Sequence, residues 1–227
     1  MFGKIARIIG IVLLGLTAVI TLLGGIGTTC VALNAANYEG MEAIAQYQWL
    51  YIFYVLSGIG LGVLGIWVAV ALVRGKPHAY RNALIVLAGG LLIGGLHMVT
   101  SRALRGSSMP KDFIVYTTGL TLIVFLLFRI PGIWQRINLE GHDDHVTGLG
   151  ASAALIVGGI ATLTVQFWAG PTHMINSINY ANVWQTQFTI FGWLAVLLGG
   201  AVLGWFVLRE GERPLLAQTF QISPDKI

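Results

Sequence analysis

The stretch QYQWLYIFYVLSGIGLGVLGIWVAVALVRG, residues Gln46–Gly75, decides the fold of this chain. It contains no charged side chain between Trp49 and Val73. At about 1.5 Å of rise per residue, a helix of this length covers the roughly 30 Å of hydrocarbon in a bilayer. Tyrosine and tryptophan crowd its first turns and Arg74 follows its last, a pattern typical of an interfacial belt and a cytoplasmic anchor. The stretch therefore predicts a transmembrane helix.

The composition of the whole chain agrees with that prediction. Of its 227 residues, 56% are hydrophobic and 10% are charged, whereas a soluble domain carries roughly 25% charged residues. Lipid must then be the main solvent. The thirteen lysines and arginines are scattered at the ends of apolar runs, so nucleic acid is not an expected partner. The sequence has no Asn-x-Ser/Thr acceptor, which favours a multi-pass protein of a bacterial inner (plasma) membrane.

The rest of the chain repeats the same format, with five further apolar runs separated by polar connections. The six predicted spans are Ile8–Leu33, Trp49–Val73, Asn82–Ser101, Phe113–Phe128, Thr147–Gly170 and Phe188–Leu208. They predict an all-α integral membrane bundle of six transmembrane helices over residues 1–208, followed by a cytoplasmic tail over residues 209–227. An even number of spans places both termini on one side of the membrane.

The distribution of basic residues predicts which side that is. The side of the termini holds ten lysines and arginines, whereas the opposite side holds only Arg102, Arg105 and Lys111. The positive-inside rule therefore predicts cytoplasmic termini. The six spans then form three hairpins, each of which leaves the cytoplasm and returns to it.

Small residues at four-residue spacing recur within the spans. They are Gly58 and Gly62, Gly90 and Gly94, Gly150, Ala154 and Gly158, and Gly200 and Gly204. Because lipid gives helices no hydrophobic reason to associate, close backbone approach at small residues has to supply much of the attraction. We expect these residues to be helix contacts within the bundle, with contacts to another copy or to a partner subunit as the alternative.

Two segments of the chain are similar to each other. Residues 46–68 and 185–207 share seven identities in twenty-three ungapped positions, including paired glutamines. One interpretation is a parallel repeat. The other is a chance match between two helices rich in glycine, valine and leucine.

His97 and Gln166 are the candidate cofactor-binding residues. His97 lies near the outer end of the third predicted span, and Gln166 lies at a similar depth in the fifth. Polar groups inside a bilayer are costly and often functional. In the structural interpretation, His97 hydrogen-bonds to a backbone carbonyl or to Gln166. In the functional interpretation, the site contacts a metal, haem or quinone, and the sequence leaves the cofactor unknown.

The string His142-Asp143-Asp144-His145 is the most metal-like in the chain. Two histidines three residues apart can share one helical face, and carboxylates add oxygen ligands. His142, Asp143 and His145 are therefore the candidate metal ligands. The alternative is a solvated turn in which Asp143 or Asp144 caps the next helix.

Charged residues of two outer connections predict contacts between those connections. They are Glu39 and Glu42 on one, and Arg102, Arg105, Lys111 and Asp112 on the other. We expect ion pairs between the two connections, or contacts of the arginines with lipid phosphates.

Three hypotheses for function follow. The predicted spans contain no Asp, Glu or Lys, and no nucleophile–base set or phosphate-binding loop is present, so an enzyme is not expected. The first hypothesis is a non-catalytic structural or accessory subunit that packs against other membrane protein subunits, or against its own copies, within membrane lipid. The alternative is a small-molecule or lipid transporter with an outward-facing cavity near His97 and Gln166. The third is a membrane redox or metal-dependent protein that uses His97.

Overall fold

The structure, a computed structural model, describes residues 2–38, 40–137, 144–168, 174–175 and 178–219. For residues 2, 4, 144–146, 168, 174–175, 180–181 and 209–219 it describes the backbone alone. In chain order, the α-helices are α1 (Phe2–Asn34), α2 (Gln48–Val73), α3 (Ala79–Arg105), α4 (Lys111–Leu127), α5 (Pro131–Trp134), α6 (Asp144–Leu163), α7 (Val165–Trp168), α8 (Tyr180–Val183) and α9 (Gln185–Thr219). The all-α prediction is confirmed, and each predicted span overlaps one of the long helices.

Four of these helices are long and apolar enough to cross a membrane, which indicates a membrane protein. The four segments are Ile5–Asn37, Glu42–Val73, Ala79–Arg105 and Gln185–Leu208. A further apolar stretch, Thr147–Leu163, is shorter, and α4 has 17 residues. At about 1.5 Å per residue, helices of that length fall a few ångströms short of the hydrocarbon thickness.

The fifth predicted span is interrupted where the sequence suggests a continuous helix. Helix α6 ends at Leu163, and Thr164 forms a turn before α7. The Thr164 hydroxyl donates to the carbonyl of Ile160 at 2.9 Å, which is the local side-chain bonding by which threonine competes with regular helix. Beyond it, β1 (Met174–Ile175) pairs antiparallel with β2 (Ile178–Asn179), a short hairpin that the sequence analysis did not predict.

A tight turn joins α2 to α3. Gly75 has φ of 60° and His78 has φ of 65°, a left-handed conformation that glycine adopts without strain and other residues adopt rarely. The amide of Gly75 donates to the carbonyl of Leu72 at 3.1 Å, and the amide of Lys76 donates to that of Ala71 at 2.9 Å. The chain therefore reverses within a few residues, so α2 and α3 become packed neighbours.

Helices α1 and α2 approach each other at glycines. A Cβ added to Gly62 would lie 2.6 Å from the Leu22 Cα, and one added to Gly65 would lie 2.8 Å from the Ala18 Cβ. Gly58 lies against Gly25 in the same interface. The prediction that Gly58 and Gly62 are helix contacts is therefore confirmed.

Helix α4 closes a four-helix bundle by packing against α3 and α1. On the α3 side, Gly94 faces Val115, whose Cγ2 would lie 3.1 Å from an added Cβ. On the α1 side, the hydroxyls of Thr17 and Thr121 hydrogen-bond at 2.8 Å, and both residues are buried. A polar pair thus joins two helices in the interior of the bundle.

Arg7, although close to the amino terminus, is buried and belongs to the packing of the bundle. It is 3% exposed, and its Nη2 lies 3.4 Å from the carbonyl oxygens of Leu72 and Val73. Thr147 of α6 donates to the same Val73 carbonyl at 2.7 Å. Since the last carbonyls of a helix lack intrahelical donors, these contacts join α1 and α6 to the end of α2.

Helices α6 and α9 form a separate helical hairpin. Its contacts with the bundle are chiefly those between α6 and α1. Its interface is also built on glycine: a Cβ on Gly159 would lie 2.7 Å from the Gly192 carbonyl oxygen, and one on Gly199 would lie 2.9 Å from that of Ser152. Backbone therefore meets backbone along this hairpin.

Three of the predicted packing residues were assigned wrongly. Among the residues that the structure describes, an added Cβ would meet nothing within 4 Å at Gly158, Gly200 or Gly204. Helix α9 instead turns Gly192 and Gly199 toward α6, and Gly200 lies about 100° around the helix from Gly199. The regular spacing of small residues was real, but it did not reveal which face of the helix packs.

The similar segments at 46–68 and 185–207 do not pack alike. Gly199 lies against α6, but its counterpart Gly60 meets nothing within 4 Å. Gly65 lies against Ala18, but its counterpart Gly204 is open. The shared glycines therefore do not hold equivalent positions in the two helical hairpins.

Candidate functional site

His97 lies in an aromatic cluster between α2 and α3. It is 5% exposed. The ring of Tyr54 stacks on the imidazole at 4.6 Å between centroids and 8° between planes, and the ring of Tyr51 meets it edge-on at 5.2 Å and 90°. The two tyrosines are three residues apart and so share one face of α2. We call Tyr51, Tyr54 and His97 the His97 cluster.

The tyrosines of α2 point inward, although the sequence analysis assigned them to an interfacial belt. Trp49 is 70% exposed and fits that assignment, whereas Tyr51 is 1% and Tyr54 is 5% exposed. The Tyr51 hydroxyl hydrogen-bonds to Ser101 at 2.8 Å, and the Tyr54 hydroxyl to Thr100 at 3.0 Å. Burial is tolerated because each phenol has a polar partner on α3.

One nitrogen of the His97 imidazole, in contrast, lacks a hydrogen-bond partner in the described part of the chain. This nitrogen, Nδ1, is buried. Two cations, Lys111 and Arg105, lie close enough to act on it electrostatically. Because buried polar atoms are nearly always satisfied, this nitrogen marks a position where a water molecule or a ligand atom is expected.

Lys111 is the least expected member of this region, because the sequence analysis placed it in a polar connection. It is 9% exposed, and its Cε lies 3.8 Å from the position of an added Cβ on Gly94. Lys111 precedes the apolar stretch of α4 that begins at Phe113. Burial lowers the pKa of its ammonium from 10.5 to about 8. The lysine therefore adds a poorly solvated positive charge beside His97.

A polar network covers the end of α3 next to this cluster. Arg102 donates to Asp112 at 2.8 Å, to Ser108 at 2.9 Å and to Tyr116 at 3.1 Å, and the Ser108 hydroxyl also bonds to Asp112. Burial opposes the charged form of Asp112, but hydrogen bonds from Ser108 and Arg102, with the Arg102 charge, hold the pKa of the carboxyl below its usual range. The network fixes the start of α4 against the end of α3.

The two connections that were expected to form ion pairs with each other are joined instead by a contact between an arginine and a methionine. The ion pair of Arg102 and Asp112 lies within one connection. Arg105 reaches the other, where its Nη1 lies 2.7 Å from the Met41 sulfur. Glu39 lies outside the described residues, and the Glu42 carboxylate accepts from the amide of Gly40.

Gln166, the second predicted cofactor-binding residue, lies on α7 and is half-buried. Helix α7 packs against α6 and α8, and no hydrogen bond joins Gln166 to His97. The hydrogen bond considered in the structural interpretation is therefore not formed. The tyrosines of α2 occupy the position next to His97 that the prediction gave to Gln166.

The predicted metal string falls mostly outside the described residues. His142 and Asp143 lie in the gap at 138–143, and His145 is described by its backbone alone, in the first turn of α6. Within the described part of the chain, no group of three or more His, Cys, Asp or Glu residues is placed to hold a metal ion. The metal assignment of His142, Asp143 and His145 stays a prediction.

The arrangement around His97 is suited to holding an anionic or polar group. The neutral imidazole can donate or accept a hydrogen bond, and the two cations can donate hydrogen bonds to an anionic or polar group. The Tyr-x-x-Tyr spacing on α2 was the one sequence signal for the neighbours of His97.

No protein-family model, curated protein or solved structure matches this chain.

Proposed function

We propose that this chain is a non-catalytic, structural or accessory subunit of a membrane protein assembly, with six spans and both termini in the cytoplasm. In this proposal α4 and α6 also cross the bilayer, which thins locally around these shorter helices. The excess of lysine and arginine on the side of the termini supports the orientation.

The observation that carries the proposal is the open surface of α9. Of its most apolar stretch, 11% is buried, against 39% for the corresponding stretches of α1 and α2. Trp193, Leu197 and Leu208 are 53%, 65% and 71% exposed. On the same helix, no described residue lies against Gly200 or Gly204, so a second helix can approach closely there. We propose a transmembrane helix of another subunit, or of a second copy, as the occupant.

Site-specific photo-crosslinking in the native membrane tests this proposal. A crosslinker at Leu197 of α9 should give one discrete protein adduct, whereas one at Leu92 of α3, which is 64% exposed, should not. Gly200→Leu with Gly204→Leu should abolish the adduct. Gly60→Leu is the matched control, since nothing lies within 4 Å of its added Cβ either.

The outcomes separate the two environments that α9 can have. The absence of a protein adduct at Leu197 would mean that lipid covers α9. An adduct that persists in the Gly200→Leu/Gly204→Leu variant, or equal adducts at Leu197 and Leu92, would mean that the open glycine face does not hold the partner. An adduct of twice the mass of the chain would identify the partner as a second copy.

A small-molecule carrier is the second candidate, and it is supported by the buried Nδ1 of His97, which has no hydrogen-bond partner among the described residues. A carrier holds a ligand against a buried polar group, and here Lys111 and Arg105 add positive charge at the same place. Mass spectrometry of small molecules released from the purified protein should then find one that is absent from His97→Phe. Identical extracts from both proteins would eliminate this candidate.

The redox or metal-dependent alternative has weaker support, because His97 is surrounded by tyrosines and cations rather than by further ligands. An absorption spectrum and a metal analysis of the purified protein distinguish it from the other two candidates. A haem band or stoichiometric metal that is lost in His97→Phe is the result that would revive it.

A further inference from the structure

One buried face of α3 brings His97 next to a residue that has no side chain. Gly94, His97 and Ser101 are all buried, and their spacing of three and four residues places them on one side of the helix. Because the Cα–Cβ bond of a helical residue tilts toward the helix N-terminus, the His97 imidazole lies over the turn that contains Gly94. The glycine therefore lets the neighbouring helix α4 approach the imidazole.

Lys111 of α4 occupies this place. Its Cε lies 3.8 Å from the position of an added Cβ on Gly94, and the Val115 Cγ2, one turn further along α4, lies 3.1 Å from the same position. The Lys111 side chain is 9% exposed, and its charge acts on the His97 imidazole. The ammonium and the imidazole are therefore buried together where α3 meets α4.

Both polar groups lack a partner among the residues that the structure describes. The Nδ1 of His97 has no hydrogen bond. The carboxylate next to Lys111 in sequence, Asp112, is bonded to Arg102 and Ser108. Burial lowers the pKa of the Lys111 ammonium to about 8, and no carboxylate opposes this shift. Because a buried charge is normally paired, we expect a negative group to reach Lys111 from elsewhere.

Arg105, the second cation near His97, is directed mainly to other partners. Its Nη1 lies 2.7 Å from the Met41 sulfur, and its Nη2 donates to the Ser107 carbonyl at 3.0 Å. Its buried Nε has no partner in the described part of the chain, but its charge acts on the imidazole less strongly than that of Lys111. Lys111 is therefore the cation best placed to hold a ligand beside His97.

We propose that a monovalent anion of halide size binds between the His97 imidazole and the Lys111 ammonium. It would accept a hydrogen bond from the neutral imidazole and a charge-assisted one from the ammonium. Tyr54 covers one face of the imidazole and Tyr51 meets it edge-on, which restricts the site to a small ligand. One ammonium offsets one negative charge, so a divalent anion would stay undercompensated away from water.

Chloride titration of the full chain in detergent tests the proposal. The protein is purified in gluconate, a bulkier anion, and chloride replaces it at constant ionic strength while line broadening in the chloride NMR spectrum reports binding. We expect saturable binding to the wild type. Loss of the charge-assisted bond in Lys111→Met should weaken it at least about tenfold, and loss of the neutral bond in His97→Phe about fivefold. Cooperative thermal unfolding shows that each variant is folded.

Two control variants separate this site from other charges of the chain. Lys76→Met removes an exposed lysine and should bind chloride as the wild type does. Glu39 lies outside the described residues, on a connection that Arg105 reaches through Met41. Glu39→Gln should also leave chloride affinity unchanged. Tighter binding to Glu39→Gln would overturn the proposal, because the chain's own carboxylate would then occupy the site.

Three further results would contradict the proposal. One is the absence of saturable chloride binding to the wild type, which would assign a water molecule to Nδ1. Another is undiminished binding in folded Lys111→Met or His97→Phe. The third is displacement of chloride by sulfate as readily as by bromide.

The inference names a ligand class for the site of the carrier candidate, but it requires neither transport nor a partner at α9. Its failure is therefore distinguishable from that of the proposed functions. If the wild type binds no chloride but releases a small molecule that His97→Phe lacks, the anion site is refuted and the carrier candidate stands.

Discussion

Single polar side chains tie the helices of this bundle together at points that are far apart in sequence. Thr17 bonds to Thr121 between α1 and α4, and Tyr80 donates to the carbonyl of Phe125 at 2.7 Å between α3 and α4. In an apolar environment such groups have few other partners, so each bond adds directional preference to otherwise non-directional packing. The rotation of each helix is therefore fixed by a few residues.

The hydroxyl pair of Thr17 and Thr121 should show a measurable coupling energy. Thr17→Val and Thr121→Val each leave one buried hydroxyl without its cross-helix partner, and the double variant removes both. A double-mutant cycle on unfolding in mixed micelles should give a coupling of about 0.6 kcal/mol, and at most about 1.7 kcal/mol. Thr117, whose hydroxyl bonds to Phe113 within α4, is the control: Thr17→Val and Thr117→Val should be additive.

Lys111 should make stability rise with pH. The pKa of its ammonium is about 8 in the folded protein, where the lysine is buried, and 10.5 when it is not buried. Between these pH values the unfolded chain therefore binds more protons than the folded one. Raising the pH through this window therefore increases the free energy of unfolding. Relative to the unfolded chain, burial disfavours the charged form of Lys111 by roughly 3 kcal/mol.

Replacement of the lysine by methionine isolates this effect. Lys111→Met should be more stable than the wild type at pH 7, and the difference in unfolding free energy should shrink toward zero as pH approaches 10.5. Lys76→Met, at an exposed lysine, controls for the loss of one charge. A constant difference between Lys111→Met and the wild type across this range would contradict the prediction.

At the scale of elements, the two helical hairpins α1–α2 and α6–α9 use the same physical device. In each, glycine lets backbone approach backbone, as Gly62 does with Leu22 and Gly159 does with Gly192. Neither contact leaves room for a methyl group. Dispersion between closely packed backbones then supplies attraction that the hydrophobic effect does not supply in lipid.

Two glycines of α2 that are two residues apart should respond in opposite ways to one methyl group. Gly62→Ala places a Cβ 2.6 Å from the Leu22 Cα, and overpacking of this kind typically costs about 1–3 kcal/mol. Gly60→Ala meets nothing within 4 Å and should be neutral or stabilise by up to about 1 kcal/mol, since alanine favours helix. Unfolding in detergent measures both, and equal effects would show that α1 and α2 do not pack through this face.

At the scale of the whole molecule, the long helices of the described chain form a four-helix bundle, α1 to α4, and the hairpin of α6 and α9, whose contacts with the bundle are chiefly those between α6 and α1. The bundle contains the larger buried core, which includes Leu14, Leu72, Leu87 and Phe125. The hairpin leaves most of α9 uncovered. The bundle therefore contains most of the buried apolar packing, whereas the hairpin presents exposed apolar surface on α9.

Cysteine labelling from outside the cell tests the proposed orientation of the whole chain. In a Cys30→Ala background, Ser107→Cys should react with a membrane-impermeant maleimide in intact cells. Lys76→Cys should react only after permeabilisation. Both parent residues are exposed, so accessibility to the reagent is set by the side of the membrane. The reverse pattern would invert the topology.

The sequence alone determined the helical class, the approximate positions of the long helices and the assignment to a membrane, but not the break at Thr164 or the extension of α9 to Thr219. An apolar run without charge demands a backbone that satisfies its own hydrogen bonds, and in lipid a helix does this within a single segment. Helix α2, Gln48–Val73, accordingly begins within one residue of the predicted span, Trp49–Val73, and ends with it. Helix formation and location in the membrane depend on the residues of a single segment, so they can be predicted from that segment without its neighbours.

The tertiary structure alone decided which face of each helix packs. When every face of a helix is apolar, periodicity does not mark an inner side, and a step of one residue turns the chain by about 100°. Gly199 therefore packs while Gly200 stays open. Likewise, His97 was recognisable from the sequence, but the tyrosines and the lysine that surround it come from α2 and α4, and only the rotation of those helices brings them to it.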